Sequence, residues 1–168
     1  MNPEAAAHIT SDHRNRLAVT YVRRATFPIT DVGQRNLEYQ RAQRAHAYHW
    51  GWSPDKVQII EDIGRSGSGT AHRNGFDMLC GMIILNQVGL VLAADLSRLG
   101  HSHRDFALLL ELCRRTGTLV AVNGKLLDLD TICERHSTPP QVHENAGSIA
   151  YQEPLLEDVL GRDAQWAA

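Results

Sequence analysis

Apolar residues in this chain fall into short unbroken runs separated by stretches in which they recur every three or four positions. Leu17-Ala-Val-Thr-Tyr21, Val57-Gln-Ile-Ile-Glu61, Leu90-Val-Leu-Ala-Ala94 and Thr118-Leu-Val-Ala-Val122 read as strands. The third holds no polar residue, as a central parallel strand covered on both faces requires. Between them the spacing predicts helices. One spans Gln34–Trp50, with Leu37, Ala45 and Tyr48 inward and Gln40, Arg41 and Arg44 on a polar face. A second starts near Gly75, with Phe76, Leu79, Cys80, Ile83 and Ile84 inward. A third follows Ser102, with Asp105 three residues on as an approximate capping box and Phe106, Leu109, Leu110 and Cys113 as its inner stripe. Arg23–Gly33 and Gly64–Thr70 read as loops, and Trp50-Gly-Trp-Ser-Pro54 breaks the first helix.

This alternation predicts an α/β fold, a mostly parallel sheet of about four strands with helices on both faces. Residues 1–15 read as a flexible leader, 16–131 as the domain and 132–168 as an irregular tail. Regularity stops near Asp130, Thr138-Pro-Pro140 resembles linker, and Leu155, Leu156, Val159 and Leu160 suit a short amphipathic turn.

Composition narrows the function. The net charge of −2 argues against strong DNA binding by this chain alone, since such domains are usually basic. Arginine supplies 15 of the 17 Lys and Arg residues, which suits bidentate phosphate contacts or reflects coding bias. Cys80, Cys113 and Cys133 are too widely spaced for a metal knuckle or disulfide framework. No run would span a membrane and no signal pattern opens the chain, so a reduced cytoplasm is the expected compartment.

Several motifs have bland readings. The Gly64–Thr70 loop lacks the Gly-Lys-Ser/Thr ending of a nucleotide-binding loop, so a surface loop is expected and no nucleotide. Ser66 and Ser68 have no evident activating partner. His46/His49 and His101/His103 lack further ligands, so no metal or other cofactor is expected. The arginines say more. Arg23 follows the first strand, Arg73 precedes the second helix and Arg98 follows the central strand. In a parallel sheet these ends share one edge, where ligands bind, and clustered guanidiniums suit a phosphodiester gaining charge.

Four blocks then carry a resemblance over roughly Leu17 to Asp130. Tyr21-Val-Arg-Arg-Ala-Thr26, Asn36-Leu-Glu-Tyr-Gln-Arg41, Glu61-Asp-Ile-Gly-Arg-Ser-Gly-Ser-Gly-Thr70 with Arg73 and Gly75-Phe76, and Ala94-Asp-Leu-Ser-Arg-Leu-Gly-His101 occur in order. Together they resemble the catalytic domain of the serine recombinases, the resolvases and invertases. The resemblance implies a resolvase-like fold and site-specific DNA strand exchange. The family's serine attacks a DNA phosphate, forms a phosphoserine bond and frees a 3′ hydroxyl. It also implies that Arg23, Arg73 and Arg98 surround the scissile phosphate with Gln40 in support, and that Arg24, Arg41 and Arg104 contact DNA.

The sequence departs from the pattern at three site positions. Ala25 stands where the family keeps its nucleophilic serine, Ser97 where an aspartate is usual and His101 where a further arginine is usual. Nothing after Asp130 resembles the family's long dimerisation helix or its DNA-binding domain. The expectation is a strand-exchange domain inactive for cleavage, binding DNA weakly alone, with a homo-oligomer or an active recombinase as partner. The alternatives are a non-catalytic DNA-binding or partner module, and a decayed fragment.

Overall fold

The computed structural model describes residues 8–25, 31–64, 74–100 and 102–137. The chain divides into two units, Met1–Leu129 and Asp130–Ala168. The first is an α/β unit around a five-stranded sheet of order β2-β1-β3-β4-β5. Its strands are β1 (Leu17–Ala25), β2 (Val57–Gly64), β3 (Val88–Ala93), β4 (Leu119–Val122) and β5 (Lys125–Leu126). The first four are parallel and β5 returns antiparallel to β4. The helices are α1 (Ser11–Asn15), α2 (Asp31–Ala42), α3 (Arg44–His49), α4 (Asn74–Ile84), α5 (His103–Thr116) and α6 (Leu129–Ser137).

All of β3 is buried, as its apolar run requires. Side chains alternate along β1. Ala18 joins Leu90, Leu92 and Ala121 beneath Ala47 of α3 and Trp52. Tyr21 points the other way and meets Phe76 of α4 edge-on, with ring centroids 6.3 Å apart. Helices thus cover both faces, and α4 and α5 pack together on the second. Phe106, Leu109, Leu110 and Cys113 of α5 are buried as expected, and the Ser102 hydroxyl accepts the Asp105 N–H at 3.1 Å.

The structure corrects the reading in several places. The expected Gln34–Trp50 helix is two helices, α2 and α3, with Gln43 between them. Its inward residues are Leu37, Gln40 and Ala47, whereas Ala45 and Tyr48 are exposed. One helical phase cannot run through the break, and the inward stripe shifts across it. Ile84, at the end of α4, is also exposed. Both β1 and β2 run three to four residues further than expected, through polar residues. The tail begins with helix α6 rather than irregular chain. A fifth strand appears because Asn123-Gly124, both at positive φ, closes a tight hairpin.

The described part of the expected leader is also ordered. Thr10 and His13 cap α1 reciprocally: the Thr10 hydroxyl accepts the His13 N–H and His13 Nδ1 accepts the Thr10 N–H. Ile9 is buried beside Trp52. Arg16 fastens this segment to the sheet. Its Nη1 donates to Asn86 Oδ1 at 2.7 Å, to the Val88 carbonyl at 3.1 Å and to the Thr116 carbonyl at 3.2 Å, and its Nη2 donates to the Gly117 carbonyl at 3.1 Å. His13 Nε2 reaches the same Gly117 oxygen at 3.0 Å. The β1–β3 register shifts by one residue at Gly89, where a Cβ would lie 2.1 Å from the His13 carbonyl oxygen. The strand admits α1 only because this residue has no side chain.

Candidate functional site

The strand order puts a switch point between β1 and β3. The chain leaves β1 for β2 on one side and later returns to β3 on the other, so the crevice outside their C-terminal ends is open to a ligand. β1 overhangs its neighbour there. Its pairing with β3 ends at Thr20–Leu92, while its pairing with β2 continues to Ala25–Gly64. Residues 21–25 are therefore flanked by a strand on one side alone.

An overhanging strand has backbone groups to satisfy. The Arg23 N–H donates to Gln40 Oε1 at 3.0 Å, and Gln40 Nε2 donates to Asn36 Oδ1 at 2.6 Å. Gln40 is only 2% exposed, so this amide acts as a buried bracket between α2 and β1. The Arg23 guanidinium crosses the crevice and its Nη1 donates to the Gly100 carbonyl at 3.4 Å. That oxygen lies in the segment after β3, just beyond the 3-10 turn Leu96–Arg98. Gly100 is itself pinned, since a Cβ there would lie 2.8 Å from the Phe106 nitrogen.

Arg98 is held from its own turn. Its Nε donates to Asp95 Oδ2 at 3.2 Å, and the Ser97 hydroxyl donates to Asp95 Oδ1. The Asp95 and Arg98 side chains are each 25% exposed. Behind the crevice, the Tyr21 hydroxyl donates to Asp62 Oδ2 at 2.8 Å, and both residues are buried. Gly75 lets α4 approach this pair, since a Cβ there would meet Asp62 Cβ at 3.1 Å and the Glu61 carbonyl at 3.2 Å.

Gln40 thus holds the end of β1, and the Arg23 guanidinium reaches the segment that follows the turn bearing Arg98. Ala25 is the last residue of β1, next to Arg24, and pairs in register with Gly64. Ser97 is exposed beside Asp95. Arg41 turns instead to β2, where it pairs with Glu61 at 2.5 Å, and this bond raises its pKa further above the usual arginine value. Arg104 is exposed on the first turn of α5. Arg73 and His101 lie outside the described residues, as do Thr26, Ser66, Ser68 and most of the glycine loop. Among the described residues no cluster of three or more His, Cys, Asp or Glu side chains could hold a metal ion, and no helix is long and apolar enough to cross a membrane. Cys80, an expected buried thiol, is pushed up to about 11 by burial.

Sequence reasoning missed Asn36, Asp62 and Asp95. Asn36 stands four residues before Gln40, a spacing at which helical side chains meet. Asp95 is three residues before Arg98, again within reach on one turn. No local signal links Tyr21 to Asp62, 41 residues apart.

Comparison with known proteins adds a family. Residues 18–141 match the family model described as Resolvase, N terminal domain. The chain is similar to the uncharacterized protein y4bA/y4pH of Sinorhizobium fredii, with 31% identity over 121 residues, which is 71% of this chain but only 17% of that protein. Among solved structures it is similar to a serine recombinase from Sulfolobus solfataricus (25% identity, TM-score 0.43, 71% of this chain and 77% of that one). It is also similar to the C-terminal catalytic domain of ISC1926 TnpA, an IS607-like serine recombinase (23% identity, TM-score 0.49, 68% of this chain and 77% of that one).

Proposed function

Since the chain belongs to the resolvase N-terminal domain family, the serine-recombinase type, we propose that its β1–β3 crevice is a scissile-phosphate site and that Ala25 makes this site inactive for DNA cleavage. The observation that carries the reading is the Arg23 bridge. A guanidinium from the end of β1 reaches the segment after β3, which bears Arg98, at the edge where a parallel sheet binds ligands. Two guanidiniums at one crevice suit a phosphodiester whose negative charge grows during transfer. Arg73 and His101 complete the charge set, with the imidazole supplying a pH-dependent charge. Gln40 keeps β1 extended so that Arg23 leaves the strand at the right point. Arg24 and Arg104 extend the contact along DNA, and Arg41 joins them only by leaving Glu61.

Ala25 sets the limit. Arginines stabilise developing charge but supply no attacking oxygen. The same residue favours a second reading, a non-cleaving module that binds DNA or pairs with an active recombinase.

Incubation with supercoiled DNA followed by a denaturing gel separates these readings. The chain as it stands forms no covalent adduct, whereas Ala25→Ser forms one if the crevice is a cleavage site. An adduct from the unaltered chain overturns the role given to Ala25. No adduct from Ala25→Ser, even with His101→Arg added, favours the non-cleaving module.

A further inference from the structure

Aspartate is among the best residues for capping a helical turn, yet Asp95 does not cap the turn it precedes. It stands at the N-cap position of Leu96–Arg98 in extended conformation, and its side chain makes no capping bond. Both carboxylate oxygens face along the turn instead. Oδ1 accepts the Ser97 hydroxyl and Oδ2 accepts the Arg98 Nε–H at 3.2 Å. The backbone closes the same loop, since the Arg98 N–H donates to the Asp95 carbonyl at 3.2 Å. Asp95 thus grips Arg98 at two points and Ser97 at a third.

Which nitrogen it takes matters. A guanidinium offers five N–H donors in a fixed fork. Asp95 uses the one nearest the stem, and the two Nη groups of Arg98 make no hydrogen bond among the described residues. These are the outer prongs, able to reach a phosphate while the stem is held. A 25%-exposed side chain loses rotamer freedom on meeting an anion, and a grip on its Nε removes part of that cost in advance.

We propose that Asp95 is the positioning residue for Arg98: it fixes the guanidinium by Nε, with Ser97 steadying the carboxylate, and presents both Nη groups to a DNA phosphate. This rests on reading the crevice as a phosphate site. A positioning carboxylate also carries a cost, because its negative charge weakens the general pull on DNA. Affinity in a single variant therefore mixes two effects of opposite sign, and the test must isolate coupling between Asp95 and Arg98.

The experiment uses the full chain and a short mixed-sequence DNA duplex at low salt. Arg98→Ala is made in the natural background, with Asp95→Ala and with Asp95→Asn, and Arg98 Nε–H exchange is followed by nitrogen-15 NMR wherever Arg98 is present. The expected results are that Asp95→Ala speeds that exchange by about three- to fivefold, the scale of a part-exposed ion pair. Arg98→Ala weakens duplex binding by about five- to tenfold in the natural background and less than about twofold with Asp95→Ala. Asp95→Asn keeps an acceptor for Nε and falls between, which also serves if the alanine variant does not fold. Unchanged Nε–H exchange in both Asp95 variants overturns the grip. Faster exchange with an unchanged Arg98→Ala effect on affinity overturns the positioning. Loss of all effect of Arg98→Ala in the natural background overturns the phosphate-site reading itself, a pattern distinct from the other two.

Discussion

Gln40 sits where helical periodicity suggests solvent, and it is buried because a backbone donor requires it. Past Leu92 of β3, the Arg23 N–H has no strand to pair with and takes the Gln40 carbonyl oxygen. Gln40→Met keeps the volume but leaves that N–H unsatisfied, so a loss of about 1–3 kcal/mol is expected in urea unfolding. Tyr21→Phe removes the Asp62 partner with almost no change of shape, and a similar loss is expected. A result within a few tenths of a kcal/mol would mean that water replaces the missing partner at either place. Loop position and residue type nominated Arg23 and Arg98, and the resemblance nominated Gln40. The burial of the polar residues was not legible. Gln40 and Asp62 owe their burial to partners on other elements, and composition carries no trace of that.

At the scale of elements, the clearest hydrophobic patterns gave the clearest outcomes. The β3 run and the α5 stripe fold as read, since each buries one contiguous apolar surface. Ends and breaks were harder, because β1, β2 and α6 extend into polar sequence where tertiary partners decide the boundary. Asn123-Gly124 was a legible hairpin signal that went unread. Gly89 and Gly124 are the elements' tightest joints. A Cβ at Gly124 would lie 2.5 Å from the His46 ring, and the residue sits at φ +72°. A side chain can give way where a backbone cannot, so Gly89→Ala should cost more than Gly124→Ala. The expected loss at Gly89 is about 1–3 kcal/mol or more, with α1 released and limited proteolysis near Asn15 as the readout.

The α1 joint also carries a pH dependence. Burial is the main force lowering the His13 pKa below its usual 6.5, against a raising contribution from its bond to the Gly117 carbonyl. The folded state therefore favours the neutral ring. As pH falls, the unfolded chain takes up its proton first, so the His13 contribution is whole above about 6.5 and is lost as pH falls through 6.5 towards the folded value. Melting temperatures compared between about pH 7.5 and pH 5 should drop more for the natural chain than for His13→Gln. Equal drops would place the sensitivity elsewhere.

For the whole molecule, charge and surface predict how DNA is held. On the proposed reading, a net charge of −2 provides little long-range attraction, and Arg23 and Arg98 would supply the local phosphate contacts. Duplex binding should be weak and nearly indifferent to sequence. Each neutralised phosphate contributes about −0.9 to the slope of log affinity against log salt, so two or three contacts give a slope of about −2 to −3. Tight binding to one short sequence, insensitive to salt, would point to a reader outside the crevice. The chain spans 17% of its Sinorhizobium fredii relative, so these expectations concern this stretch of sequence and not that longer protein.

The Arg16 clasp has a consequence for the growing chain. Its acceptors lie 70 to 101 residues further along, on Asn86, Val88, Thr116 and Gly117. A ribosome adding about 5–20 residues per second takes about 5–20 s to make that stretch. Throughout that interval α1 has its cap and, once Trp52 and Lys56 are made, contacts from them, but the Arg16 guanidinium lacks its acceptors and the entry end of β1 stays unlatched. The Arg16 clasp is thus among the last contacts of this segment to close. A nascent chain stalled before Gly117 should yield to a protease near Asn15 while one stalled well after it resists, so the Arg16 latch reports when its far side has been delivered.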